Sequence, residues 1–169
     1  MKHANVVLVA VALSIFSSSA VYAKELSPED SLAVRKAVVA WLECEECTDG
    51  ELEGVVKFGE LAVPTLGATL ERGPSPASLE KVRMHLESSY RNMVEYARTH
   101  DEVKIDQSEE EYVKQYLENY QANYAVRSAQ ALAKLGGPEA RKLIDAAGKR
   151  KLRDDVSVVV QESAKTLSR

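Results

Sequence analysis

Cysteine and histidine are scarce in this 169-residue chain, which holds two of the first and three of the second. A tetrahedral zinc site needs four ligands, and apart from His3 near the N-terminus the histidines that could join Cys44 and Cys47 are His85 and His100, fifteen residues apart and in no finger spacing. No alternating apolar run is long enough for a convincing strand outside the N-terminal segment, which removes the βαβ pattern of a thioredoxin-like fold. An excess of positive charge is also missing: 22 Lys and Arg stand against 26 Asp and Glu, a net charge of -4. Nucleic acid and anionic lipid are therefore poor partners. The serines near Ser88-Ser89 lack a nucleophile elbow or a paired His/Asp arrangement. These absences argue against an enzyme, and no cofactor is implied.

What is present begins with a leader. Lys2 and His3 precede an apolar stretch from Val6 to Phe16, and Val21-Tyr22-Ala23 follows as a small-residue cleavage site, the order of a secretory signal. The apolar run is shorter than the roughly 18 residues that cross a bilayer. Cleavage after Ala23 predicts a periplasmic or secreted product, with no membrane insertion afterwards and no cysteine at the junction to carry a lipid. Removing 23 of 169 residues leaves 146, enough for one domain (24–169), and losing Lys2 takes the net charge from -4 to -5.

The remainder reads as all-α, with about seven helices. Ser27-Pro28-Glu29-Asp30 supplies a hydroxyl cap, a first-turn proline and first-turn acids to a helix ending near Cys44, whose stripe is Leu32, Val34, Val38, Val39, Trp41 and Leu42. Thr48 and Glu51 form a capping box for a short helix that Gly59 stops, with the next helix starting at once through Leu61, Val63, Leu66 and Leu70 to Gly73. Ser75-Pro76 caps a helix through Leu79, Val82, Leu86, Met93, Val94 and Ala97, and Thr99 to Gln107 is a loop. Ser108 and Glu111 then open a pattern without Gly or Pro as far as Leu135, unusually long for so small a domain. Gly136-Gly137-Pro138 breaks it, and helices to about Ala147 and from Asp154 or Asp155 to Leu167 complete the chain. The cluster Lys149-Arg150-Lys151 with Arg153 reads as a solvated helix end.

Three constellations could carry function. Cys44 and Cys47 match both a tight structural disulfide, which an oxidising compartment favours, and a redox-active or metal-binding Cys-x-x-Cys. Cys47 precedes a helix start, which favours a thiolate, whereas Glu43, Glu45 and Glu46 oppose one. Tyr112, Tyr116, Tyr120 and Tyr124 recur every four residues, so the row winds about 40° per step around a helix and turns some rings to the core and others to solvent. The row reads first as hairpin packing with hydroxyls at the boundary; as the alternative, these four are the candidate partner-binding residues, since tyrosine combines apolar area with a hydrogen bond. The acidic stretches Glu43 to Glu53 and Asp101 to Glu111 could attract a cationic partner but lack the spacing of a calcium loop.

Phe58-Gly59 with Leu66 and Leu135-Gly136 with Leu143 repeat one helix–turn–helix pattern at a glycine spacing of 136 minus 59, or 77 residues. Ala33-Val34-Arg35 and Ala125-Val126-Arg127 echo each other at 92 residues, a different register. Tyr124 to Ala147, and less completely Thr48 to Leu70, resembles the HEAT-like repeats of bacterial proteins, including the short variety associated with phycobiliprotein lyases. Asp154 to Leu167 is similar to the opening helix of a third copy. The resemblance implies an α-solenoid that binds protein, without catalytic residues, in which Arg35 and Arg127 pair with acids of a neighbouring turn. A long hairpin near 76–124 separates the two copies. If all neighbouring helices run antiparallel, the copies point in opposite directions, and the expected architecture is an irregular short solenoid or bundle. The function expected is a protein-binding or scaffold module; the alternative is a thiol-disulfide or metal-handling protein built on Cys44 and Cys47.

Overall fold

Side-chain caps open four of the seven α-helices of the computed structural model, which describes residues 27–168. The expected signal sequence lies outside these described residues. Helix α1 (Pro28–Glu43) starts where the Ser27 hydroxyl accepts the Asp30 amide at 3.1 Å. Helix α2 (Asp49–Val56) and helix α5 (Glu109–Leu135) both start on reciprocal capping boxes. The amides of Thr48 and Ser108 donate to Glu51 and Glu111, each at 2.9 Å. Hydrogen bonds from the Thr48 side chain and the Ser108 backbone, respectively, are the largest influence holding these carboxyls below their usual range. A 3-10 turn, Gly59–Ala62, precedes α3 (Val63–Arg72), and α4 (Pro76–Arg98), α6 (Gly137–Ala147) and α7 (Asp154–Thr166) complete seven α-helices among the described residues.

The helix count matches the sequence reading, while several details change. Gly59, at φ 53°, opens the 3-10 turn rather than a new helix, so Leu61 falls on the turn and stays exposed. In α1 the core takes Val34, Val38, Trp41 and Leu42 but leaves Leu32 and Val39 outside. A periodic apolar stripe was visible there, but its neighbours cover only part of its width. The row from Glu109 to Leu135 is one unbroken helix, as its lack of breakers predicts.

Helix α5 serves two layers. Its C-terminal half places Ala122, Tyr124, Ala129, Ala131 and Leu132 in the main core with α1, α3, α6 and α7. Its N-terminal half pairs with α4 around a smaller cluster of Leu86, Val113 and Leu117. Every other α-helix packs on α5, and among the described residues α4 has α5 as its one substantial helix neighbour. The small residues of α5 let α3 cross closely. Thr69 donates to the Leu66 carbonyl at 2.9 Å, so the buried Ser128 hydroxyl, 2.7 Å away, donates to Thr69.

The relation of the two repeated units, which the sequence leaves open, follows from their contacts. Gly67 in α3 meets Leu143 in α6, and Leu70 and Glu71 at the end of α3 meet Arg150 just past the end of α6. Both contacts ascend together, so α3 and α6 run parallel, not opposed. Antiparallel order fails at α4, which leaves α3 to pack on α5 instead of folding back along α3. Within the first unit α2 leans on α1 and α5 rather than on α3.

The α3–α6 contact is close enough to test by one methyl group. A Cβ at Gly67 would lie 2.7 Å from Leu143 Cδ1. Overpacking costs about 1–3 kcal/mol, against a gain of about 1 kcal/mol for replacing helical glycine by alanine. Gly67→Ala is expected to destabilise the protein by about 1 kcal/mol in urea unfolding. In a Leu143→Ala background the same change should become stabilising; an unchanged sign would disprove the contact.

Candidate functional site

The last turn of α1 ends in an extended Cys44, carries no basic residue, and so presents terminal carbonyls with neither a local cap nor a favourable charge. Helix α5 supplies both from one face. Arg127 Nη1 donates to the Leu42 carbonyl at 2.8 Å and more distantly to Trp41 at 3.4 Å, while the Trp41 ring donates back to the Arg127 carbonyl at 2.9 Å. The guanidinium lies 6.0 Å from the Trp41 ring centroid, within reach of a cation–π attraction. Arg127 therefore meets backbone carbonyls, in place of the acidic partner that the repeat resemblance implies. Arg35 is exposed and makes no ion pair with the described residues.

One and two turns before Arg127, Tyr124 and Tyr120 both donate to Glu43 Oε1, the second at 3.0 Å. The rings meet edge to face at 5.1 Å. Burial most of all, and then the Glu43 carboxylate, push the Tyr124 hydroxyl well above the ordinary tyrosine range. Burial raises Tyr120 in the same direction, opposed in part by the neighbouring Tyr124 hydroxyl.

The tyrosine row thus divides. Tyr124 is 4% exposed and is withdrawn from the candidate partner surface, because α1 covers it; Tyr120 is half-buried beside it. The Tyr112 ring packs at a tilt against Tyr90 at 5.5 Å and against Tyr116 at 4.6 Å on the α4–α5 hairpin, where Tyr116 remains 47% exposed. The Tyr90 hydroxyl donates to the Gln107 carbonyl at 2.6 Å, tying the loop before α5 to α4.

Cys44 and Cys47 are disulfide-bonded, Cys44 half-buried at the end of α1 and Cys47 exposed ahead of the α2 cap. Beside them a cleft of about 320 Å3 brings Glu43, Glu45 and Tyr120 opposite Ser78, Lys81 and His85 of α4. His85 and His100 do not converge: the second stacks on Tyr96 at 3.8 Å. Among the described residues no group of three His, Cys, Asp or Glu could hold a metal ion, and no helix is long and apolar enough to cross a membrane. The basic cluster also proves to be more than a solvated end. Arg150 donates to the carbonyls of Leu70 and Glu71 at 3.3 and 3.0 Å, capping α3 as Arg127 caps α1. Arg153 pairs with Asp155 at 2.6 Å and with Asn119 of α5 at 2.8 Å.

No family model, curated protein or solved structure matches the chain. Glu43 and Trp41 were not singled out as a pair of anchors by sequence reasoning. Their partners lie 77 to 86 residues away, beyond any local pattern.

The Arg127 cap makes a charge-assisted contact that nothing else supplies. Arg127→Ala is expected to lower stability by about 2–3 kcal/mol in urea unfolding, more than Arg150→Ala on its exposed rim. Loss of less than half that amount would show the cap to be dispensable. Raised tyrosine pKa values mean that the fold favours the neutral hydroxyls. That stabilisation is complete below the ordinary tyrosine pKa of about 10 and is lost as the pH rises toward the raised values. The stability gap between wild type and a Tyr120→Phe, Tyr124→Phe variant should therefore narrow on the alkaline side, followed by denaturation at successive pH values. A gap that widens there would contradict the assignment.

Proposed function

We propose that this protein is an exported, non-catalytic protein-binding module in which the α4–α5 hairpin presents the recognition surface. The observation that carries the reading is the position of that hairpin. It has its own small apolar cluster beside the main core, and its tyrosine cluster leaves Tyr116 accessible. Tyrosines in such clusters lose little rotamer freedom on binding while offering apolar area and a hydroxyl. Met84 and Tyr96 add exposed apolar side chains on α4.

The α5–α6 unit acts in this proposal as a HEAT-like repeat that holds the hairpin, with α3 as its counterpart from the first half of the chain. Support comes from the parallel course of α3 and α6, whose contacting residues Gly67 and Leu143 are 76 apart, against the 77-residue glycine spacing. The Cys44–Cys47 disulfide then fixes the α1–α2 corner. The leader sequence supports delivery to the periplasm or the exterior, where such a bond persists.

A photo-cross-linking phenylalanine analogue placed at Tyr116, and separately at exposed Lys165 of α7, tests the surface in cells producing the full chain. A discrete protein adduct is expected from position 116 and none from position 165. It should survive Cys44→Ala with Cys47→Ala, provided the helical circular dichroism is retained. No adduct at 116 removes the hairpin from recognition; an adduct that vanishes with the cysteines in a folded protein favours the thiol-disulfide alternative.

A further inference from the structure

A groove of about 770 Å3 runs between α1 and α3 and is closed by the Gly73-Pro74-Ser75 turn and the start of α4. This volume lies within the about 300–1,000 Å3 typical of small-molecule pockets. Val38, Leu42, Pro74 and Tyr124 are buried residues of its wall. Arg35 and Arg72 also line it, and no Asp or Glu does. In a chain with 26 acids against 22 bases, that sign of charge is local and opposite to the whole. Four other surface clefts each present at least one carboxylate.

The remaining polar groups of the groove are largely occupied. Thr69 is engaged with Leu66 and Ser128, Ser75 and Ser78 pair at 3.0 Å, and Tyr124 donates to Glu43. Neither arginine makes an ion pair among the described residues. The N-terminus of the 23-residue α4 adds a positive partial charge at the same end. Two exposed arginines lining an apolar trough suit a planar anion attached to a hydrocarbon chain, since guanidinium pairs with carboxylate through parallel hydrogen bonds.

We infer that the groove binds a long-chain fatty carboxylate, its head held by Arg35 and Arg72 and its alkyl chain lying along Val38, Leu42 and Leu79. A peptide fits less well. Its amides would need partners, whereas the helices that form the walls spend theirs internally. A neutral lipid would gain nothing from the two exposed arginines. The site is separate from the tyrosine surface of the hairpin and stands whether or not that surface binds protein.

Isothermal titration of the purified protein with dodecanoate, dodecanol and acetate, all below the micellar range, tests the assignment. Dodecanoate is expected to saturate one site, with dodecanol and acetate weaker by about tenfold or more, the equivalent of one charge-assisted contact. Arg35→Gln with Arg72→Gln should reduce dodecanoate affinity by a similar factor. Val39→Glu, at a position 40% exposed on the groove wall, should do the same while leaving both arginines and the fold in place. Lys57→Gln, on α2's far end, should change nothing. Dodecanol binding as tightly as dodecanoate would overturn the proposal, as would unchanged affinity in the folded Val39→Glu variant. Amide shifts induced by dodecanoate should fall on α1, α3 and the start of α4; shifts confined elsewhere would also overturn it. An apolar peptide with a free C-terminus that displaces dodecanoate at lower concentration would reassign the groove to a different ligand class.

Discussion

The end of α1 cannot complete its own hydrogen bonding, and the fold is organised around the side chains that do it instead. Arg127 reaches the Trp41 and Leu42 carbonyls, and the Trp41 ring returns the contact to the backbone of α5. Glu43, in the next position, takes two tyrosine hydroxyls from the same face of α5. Three residues of one helical turn are thus held by residues spaced along two turns of another. The arrangement sets the angle and height of α1 on α5 more narrowly than apolar packing alone, because hydrogen bonds weaken steeply with misalignment.

Arg150 repeats this solution at the end of α3. In both cases a cation from the second half of the chain meets the negative end of a helix from the first, so helix-dipole compensation and long-range assembly are one interaction. With both ends held, α5 can extend beyond the core and pair with α4. That extension gives the molecule two separate regions, a body with an arginine-lined groove between α1 and α3, and a hairpin with a partly exposed tyrosine cluster.

Helix limits were legible where the chemistry spans three or four residues. Ser27 with Asp30, Thr48 with Glu51 and Ser108 with Glu111 are cap pairs visible in the linear text, and Gly73 and Gly136 occupy left-handed φ at helix ends. The tyrosine spacing likewise showed that the rings must divide between core and solvent, but not which pair would be covered. Leu32 and Val39 looked like core because periodicity reveals a stripe and not the width of its neighbour. Arg35 and Arg72 looked unconnected, and only the approach of α1 to α3 makes them walls of one groove.

The sequence by itself determined the all-α class, the seven helices, the long uninterrupted α5 and the cysteine spacing that closes the α1–α2 corner. These depend on propensities, caps and breakers that act within a turn or two of chain. Tertiary structure decided that α3 and α6 run parallel, that Tyr120 and Tyr124 face Glu43 while Tyr116 faces outward, and that Arg127 meets carbonyls rather than an acid. Each of these depends on which helices share a contact across roughly 60 to 90 residues, a matter settled by the fit of whole faces and by terminal carbonyls that must find donors.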